Sequence, residues 1–409
     1  MKRPEIMLVA GDPSGDANAA DLVRALALAV PAAQFKITRD AQPLTAPLAP
    51  RFFGAGGPKM AAAGVELAFD LTADSVIGPG GLAHKLPGLM RRFQEVKRLA
   101  VERQPELIIL VDYGEFNLRL ARALKNYARA RAGRFFNWKP KIVQFISPQV
   151  WASRPGRAKM IARNCDLLIS LFPFERKWYA SRVPQLAVEY VGNPIFDRYP
   201  EGPPRGVSRA EEAQPPVVLL LPGSRRGELK RHVPVMLAAA QLIVAKQQAR
   251  FRMVVPNEAL AGVARRLLPD GPPRIDLQIG GLKEALLGAT VAVAKSGTIT
   301  MECAFFGVPA VVIYKTDWGT YLVGRWMVNV KYLAMPNLLA DEAVYPEFIQ
   351  GQATAGKISA AVMELLGSRE RRDQVRAKLG QIVQMLGGPG AARRAAAAII
   401  KLTGLWNNP

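Results

Sequence analysis

The chain has 409 residues, half of them hydrophobic and 22% charged, which is enough for two domains with separate cores. Its two cysteines, Cys165 and Cys303, lie far apart and offer neither a disulfide framework nor metal-ligand spacing, so a reducing compartment is expected. The N-terminal apolar run stops at Asp12, which speaks against a signal peptide, and no run approaches the ~18–20 apolar residues of a spanning helix, so any membrane contact is expected to be peripheral.

The formal charge of +22 is spread over both halves of the chain, with a local concentration at 116–165, where twelve Lys or Arg stand with no acid. Three partners fit such a surface: nucleic acid, anionic lipid or phosphorylated small molecules. A generally basic surface without a dedicated partner fits as well.

In chain order, EIMLVAGDPSGD predicts a buried strand entering a turn, then a helix over 17–30. RFFGAGGPKM predicts a second strand and a glycine turn. A helix near 86–103 precedes the strand ELIILVDYG and a helix over 116–130. KIVQFIS is the next strand, followed by a helix over 153–165, the strand DLLISLF and a helix over 173–182. Residues 200–216, PEGPPRGVSRAEEAQPP, have the Pro, Gly and charge content of a linker. The alternation restarts with VVLLLPGS, a helix over 228–248, FRMVVPN, a helix over 258–268, IDLQIG, TVAVAKSG and AVVIYK, and ends in a helical C-terminus over 356–403. Short apolar runs alternating with longer helices predict doubly wound parallel sheets. The expected fold is α/β: two Rossmann-like domains, 1–199 and 217–365, facing a cleft across the linker 200–216. Helices over 366–409 would pack back across the domains or onto a partner subunit of a homodimer.

Two strand–turn–helix segments carry the strongest chemical signal. One is Leu221-Pro222-Gly223-Ser224-Arg225; the other is AKSGTITMECAFFGVPAVVIYKTD, residues 294–317. Small residues leave the first N–H groups of each helix approachable, and unpaired N–H groups at the positive end of a helix bind anions. The N–H groups of Gly223, Ser224 and Arg225 and of Ser296, Gly297 and Thr298, with the Arg225 guanidinium, suggest a diphosphate cradle. The substrate is then a nucleotide or a nucleotide-activated compound. Glu302, four residues after Thr298, could accept hydrogen bonds from ribose. Asn337, Glu347 and Gln350 are polar residues in apolar context and suggest cleft contacts. No Walker loop and no HExxH occur, and the glycines of 54–57 are a weak dinucleotide signal. His84 and His232 read as surface or packing residues, so acid–base chemistry falls to carboxylates. Asp112 ends the apolar strand LIILV; it reads either as a turn residue or helix cap, or as a carboxylate aimed at the cleft. Glu115 reads as a helix N-terminal charge or a second acid. Asp12 and Asp16 stand in the same position after the first strand, and Asp16 reads better as a cap for the following helix.

AGDPSGD, GAGGPKM, DYGEFNLRLA, FISPQVWASRPGRAKMI, FPFERKWY, YVGNPIFD, LLPGSRRGEL, SGTITMECA, LAMPNLLA and PEFIQ occur in an order in which the chain resembles lipid-A-disaccharide synthase over nearly its whole length. That is a bacterial glycosyltransferase family with a GT-B-type fold. The resemblance implies a UDP-2,3-diacylglucosamine donor, a 2,3-diacylglucosamine 1-phosphate acceptor and a β-1,6 disaccharide product, with UDP released. It implies that Asp112 matches a functionally important aspartate and Arg225 an arginine of the phosphate turn. Glu115 and Asp12 are the further catalytic candidates. Ser14, Gly15, Gly223, Ser224, Ser296, Gly297, Thr298, Glu302, Asn337 and Gln350 are the substrate-binding ones. The family usually has glutamate at Asp12, a proline–aspartate pair at Gly114-Glu115 and histidine at Asn193. The expected reaction is inverting and uses no metal and no cofactor. The implied location is cytoplasmic, on the inner face of the inner membrane, with the basic and apolar segment 82–104 as an interfacial helix on anionic lipid. Nucleic acid is not expected as a partner, because no RRM, KH or helix-turn-helix signature is present. Another UDP-sugar transferase or a UDP-N-acetylglucosamine epimerase-like enzyme is the alternative on the same scaffold.

Overall fold

A computed structural model describes residues 3–29, 50–76, 82–203, 215–328 and 330–404; most of the expected linker, 204–214, lies outside the described residues. The chain divides into two units, Met1–Arg198 with Gly388–Pro409, and Tyr199–Gly387. In the first unit β1 (Glu5–Ala10), α1 (Pro13–Ala29), β2 (Arg51–Gly56), α2 (Pro58–Ala62), β3 (Glu66–Asp70) and α3 (Leu71–Val76) come first. There follow α4 (Leu82–Arg103), β4 (Leu107–Val111), α5 (Gly114–Arg131), β5 (Lys141–Phe145), α6 (Val150–Ser153), α7 (Arg157–Asn164), β6 (Leu167–Ser170), α8 (Pro173–Ala180), β7 (Ala187–Tyr190) and α9 (Ile195–Arg198). The seven strands form one parallel sheet in the order β3-β2-β1-β4-β5-β6-β7.

The second unit opens with β8 (Val217–Leu221), α10 (Arg226–Val244), β9 (Arg250–Val255), α11 (Glu258–Arg265), β10 (Ile275–Ile279), α12 (Leu282–Leu287), β11 (Val291–Lys295) and α13 (Thr298–Phe305). It continues with β12 (Ala310–Tyr314), α14 (Trp318–Met327), α15 (Met335–Ala340), β13 (Glu347–Ile349), α16 (Ala355–Gly367) and α17 (Arg369–Met385). Its six strands are also all parallel, ordered β10-β9-β8-β11-β12-β13. The last helix, α18 (Ala391–Thr403), belongs to the first unit and packs on α1. The two parallel sheets and the C-terminal helices are those expected of the α/β chain.

The central strands are apolar on both faces because helices cover both. Along β1, Met7 and Val9 join a cluster with Val96 and Ala100 of α4 and Leu120 and Leu124 of α5. Their neighbours Ile6 and Leu8 point the other way, to Leu22 and Leu26 of α1 and to Ala395 and Ile399 of α18. This period of two with apolar residues on both sides is the signature of a buried parallel strand. In each sheet the strand order reverses next to the first strand of the unit: β1 lies between β2 and β4, and β8 between β9 and β11. Chain segments leaving the carboxyl ends of these strands diverge there, which leaves a place for ligands.

Candidate functional site

In the first unit, the segment after β1 is a helix cap. Pro13 is the first residue of α1, and Asp12 Oδ1 accepts from the N–H of Gly15 at 2.6 Å. Ser14 is half-buried in the same first turn. Asp16 does not cap its own helix. It is buried and reaches across to α2, where Oδ1 accepts from Gly57 N (2.9 Å) and Met60 N (3.0 Å) and Oδ2 from Lys59 N (3.0 Å).

β4 ends differently. Asp112 and Tyr113 both have left-handed backbone angles, φ 49° and 46°, an uncommon conformation for residues with a Cβ that occurs preferentially at functional sites. Asp112 is held by its backbone: its N–H donates to the Phe145 carbonyl at 2.9 Å, and its carbonyl accepts from Asn117 Nδ2 (2.9 Å) and Gln144 Nε2 (3.2 Å). Gln144 Nε2 also donates to the carbonyl of Ile146 (3.1 Å), itself left-handed at φ 71°. Asn117 and Gln144 are fully buried, and Asn117 Oδ1 and Gln144 Oε1 have no hydrogen-bond partner among the described residues. The half-buried Asp112 therefore stands on a clamp of two buried amides. Neither amide was singled out in the sequence, because their partners are backbone groups of other segments.

Glu115, in the first turn of α5, is the hub of three arginines. Oε1 accepts from Arg119 (2.8 Å), Oε2 accepts from Arg154 (3.1 Å), and Arg157 pairs with it as well. Burial works to raise its carboxyl, but the hydrogen bonds from Arg157 and Arg119 outweigh this and leave its pKa below the ordinary range. A second acid of this unit behaves oppositely. Glu175, of the Phe-Pro-Phe-Glu segment, is buried; Oε1 accepts from Trp151 Nε1 (3.1 Å) and Oε2 from Phe172 N (3.3 Å). Burial pushes its pKa up to about 7, against hydrogen bonds from Ser147 and Trp151. It ties two motif segments, QVWA and FPFE, into one corner. Asn193 accepts from Ile195 N through Oδ1 (3.0 Å).

In the second unit both small-residue turns lie at neighbouring strand ends, β8 and β11. Gly223 has φ 124°, and a Cβ there would sit 2.3 Å from Glu228 Oε2, so no other residue fits the turn as it stands. Glu228 fills it: Oε2 accepts from Ser224 N at 2.9 Å. Oε1 lies 3.2 Å from Lys295 Nζ and 3.9 Å from Arg225 Nη1. The Ser224 N–H expected to face an anion is thus engaged by the protein's own carboxylate. Arg225 is exposed. Gly297, φ 146°, precedes α13, whose N-terminus has no side-chain cap; Thr298 is exposed there and Ser296 Oγ donates to the Leu333 carbonyl at 3.0 Å. The two turns and two cations, Arg225 and Lys295, form a concentration of positive charge with one internal counter-charge.

Five further polar residues shape this edge from beneath. Glu302 is buried and accepts from Tyr199 Oη at 3.2 Å. Asn337 is fully buried; Nδ2 donates to the Tyr345 carbonyl and to Glu347 Oε1, and Oδ1 accepts from Tyr345 N, each at 2.8 Å. Glu347 also accepts from Leu333 N (2.8 Å) and Ala334 N (2.9 Å), ahead of α15. Gln350 bonds both ways to the backbone of Thr316, at 3.0 and 3.1 Å. His232 is buried; its Nε2 accepts from Lys315 N (3.0 Å), so Nδ1 carries the proton and donates to the Pro222 carbonyl (2.9 Å). Burial lowers its pKa, which keeps it neutral as a brace between two strand ends. The side chain of His84 lies outside the described residues.

Two all-parallel Rossmann-like sheets in succession are the make-up of the GT-B-type fold. Solved structures share the fold: a putative UDP-N-acetylglucosamine 2-epimerase from Listeria monocytogenes matches with TM-score 0.64 at 14% identity, over 100% of this chain and 99% of its own. The calicheamicin glycosyltransferase CalG4 matches with TM-score 0.55 at 17% identity, over 99% of each chain. The sequence is more specific. Residues 6–400 match the family profile of lipid-A-disaccharide synthetase. The lipid-A-disaccharide synthase of Syntrophus aciditrophicus (strain SB) is 34% identical over 407 residues, 97% of each chain; that of Myxococcus xanthus (strain DK1622) is 33% identical over 406 residues, 98% of this chain and 97% of its own. The chain belongs to the lipid-A-disaccharide synthetase family. It is a glycosyltransferase, a hexosyltransferase of lipid A biosynthesis.

Proposed function

We propose that this chain transfers 2,3-diacylglucosamine from its UDP derivative to 2,3-diacylglucosamine 1-phosphate, with inversion and without a metal ion. The acceptor 6-hydroxyl attacks the anomeric carbon from the face opposite UDP, the bond to the diphosphate breaks, and Asp112 takes the hydroxyl proton. Arg225, Lys295 and the N–H groups of the two turns offset the charge that grows on the leaving diphosphate. Glu228 then yields the Gly223–Arg225 turn to the diphosphate. Glu302, Asn337 and Gln350 hold the turns in shape around UDP. Asp12 and Glu115 act through position: the first fixes the turn carrying Ser14 and Gly15, and the second orders Arg154 and Arg157 for the acceptor phosphate. The observation that carries the reading is the strained, doubly clamped backbone of Asp112.

The test is direct. Pure protein with both acylated substrates should give the disaccharide 1-phosphate by mass spectrometry, with a β linkage by NMR. Asp112→Asn should lower turnover by ~10²–10⁴ and leave UDP affinity nearly intact. Near-normal turnover in that variant removes Asp112 from the role of base. Turnover of unacylated UDP-N-acetylglucosamine alone would instead favour an epimerase.

Acylated substrates require access to a membrane, and we propose contact with its anionic surface. No described helix is long and apolar enough to cross a bilayer. Two faces suit partial insertion, one in each unit. On α4, Leu89 and Met90 are exposed beside Arg91. On α14, Trp318, Leu322 and Trp326 stand four residues apart on one stripe and are 65%, 61% and 87% exposed. Residues 318–340 carry Arg325 and Lys331 and no acid. Tryptophan favours the headgroup region of a bilayer, where its ring is buried and its N–H stays wet.

A further inference from the structure

The first unit carries a cavity whose lining contains none of the residues proposed for the transfer reaction. It opens between α5 and α7, has a volume of about 640 Å³, and is lined chiefly by Arg122, Asn126 and Arg129 of α5 and Lys159, Arg163 and Asn164 of α7. The three α5 residues recur at helical spacing and share one face, as do Lys159 and Arg163 on α7. Counted along α5 at 1.5 Å per residue, the lining lies roughly 12–22 Å from Gly114, so it is distinct from the end of β4.

Its charge is what sets it apart. Cations on either side have carboxylates: Arg119, Arg154 and Arg157 have Glu115, and Lys125 has Asp166. Among the described residues no carboxylate is within ion-pair distance of Arg122, Arg129, Lys159 or Arg163, and the segment 116–165 contains no acid. The walls are nonetheless tied together. Arg129 Nη2 donates to the carbonyl of Arg163 at 3.0 Å, and Asn164 Nδ2 donates to that of Met160 at 2.7 Å. Four like charges converging on one concavity repel one another unless an anion joins them. The volume exceeds that of a simple ion, and guanidinium forks match the geometry of phosphate oxygens.

We propose that the α5–α7 cavity binds a phosphate-ester anion, separately from the transferred sugar and its UDP. The ester belongs either to a free phosphorylated metabolite or to a phospholipid headgroup. The experiment uses the full chain with saturating UDP, so that the proposed donor site is occupied. One arm titrates sn-glycerol 3-phosphate by calorimetry. The other measures flotation with phosphatidylcholine vesicles containing phosphatidic acid. A cavity triple, Arg122→Gln, Lys159→Gln and Arg163→Gln, is compared with a control triple of equal charge loss outside it, Arg131→Gln, Arg134→Gln and Lys139→Gln. Loss of several charge-assisted contacts should weaken binding on the order of a hundredfold in the cavity triple, with little change in the control. Loss in the calorimetric arm assigns a free metabolite; loss in flotation alone assigns a headgroup. Lys159→Gln alone, at an exposed position, should show a smaller loss in the same arm should the triple fold poorly. The proposal is overturned if neither probe binds, or if the cavity triple loses no more binding than the control triple.

Discussion

Asp112 and Ile146 end two neighbouring strands in the left-handed region, and Gln144 donates to the carbonyl of each. Gln144→Leu keeps the bulk and removes both bonds, leaving two carbonyls under-satisfied. It should cost about 1–3 kcal/mol in denaturant unfolding. A fall in kcat with an unchanged KM for the donor would mark Gln144 as a positioning residue for Asp112; an unaltered kcat would mark the clamp as structural only. Glu175 yields a second prediction, from its pKa near 7 against an ordinary 4.5. The folded state holds this proton more tightly than the unfolded one, so the contribution of Glu175 to stability is fully present below about pH 4.5 and is lost as pH rises to about 7. The shift corresponds to about 3 kcal/mol. Glu175→Gln should abolish that slope and stabilise the protein at pH 8, as read from melting temperatures across the range. A slope that survives in the variant assigns it to other groups. Among these residues, only Asp112 was legible beforehand, because an apolar strand ends on it. Asn117 and Gln144 were not, since a polar side chain satisfied by distant backbone looks the same in sequence as an exposed one. Glu228 is the acid in the first turn of its helix, a position from which a carboxylate reaches the N–H groups just before it, and that signal could have shown the turn to be engaged.

The elements that the alternation of apolar runs and helices makes legible are the central ones. β1, β4, β8 and β11 are almost wholly buried and read as continuous apolar runs. β3, β7 and β13 are the strands that pattern reading missed, and all three lie at sheet edges. Their residues are largely half-buried or exposed, so ELAFD, AVEY and EFI never form the run that would announce them. The C-terminal helices were legible as helices, but their partners depend on contacts between residues far apart in sequence. α17 packs on α13 of the second unit, whereas α18 packs on α1 of the first. What fixes α18 is a polar joint as well as its buried Ala395, Ala396 and Ile399. The Asp197 carboxylate accepts from Gly390 N and from Ala392 N (3.0 Å), and Arg394 Nε donates to the Val191 carbonyl at 2.7 Å. Asp197 is thus a cap supplied by another helix. Asp197→Ala should cost about 1–2 kcal/mol, the range of a lost N-cap. Amide exchange in α18 should accelerate ahead of that in α1. Uniform acceleration throughout the first unit would show that α18 does not open on its own.

Over the whole molecule, the charge of +22 and the exposed apolar residues make separable contributions to membrane contact. The arginines of α4 are engaged with carboxylates: Arg91 and Arg92 pair with Glu95, Arg98 with Glu102, and Arg103 with Glu5 and Glu66. Arg92 also lies over the Phe69 ring and Arg103 over that of Phe53, so reversing the arginines of α4 would disturb packing together with charge. The informative variants remove exposed apolar side chains instead. Electrostatic attraction to anionic vesicles is worth about 1 kcal/mol per cation near the surface and fades as salt shortens the Debye length. Insertion of apolar side chains does not fade in that way, and full burial of a large one contributes about 1.5–3 kcal/mol. Flotation with anionic vesicles should therefore fall to a plateau, not to zero, as salt is raised. Trp318→Ser with Trp326→Ser should lower that plateau, and so should Leu89→Ser with Met90→Ser. All four residues are exposed, so melting temperatures should hold. A plateau lowered by only one pair would assign docking to the unit that carries it. If flotation at high salt is the same for wild type and both variants, neither face enters the bilayer, and whatever binding disappears with salt belongs to the diffuse basic surface.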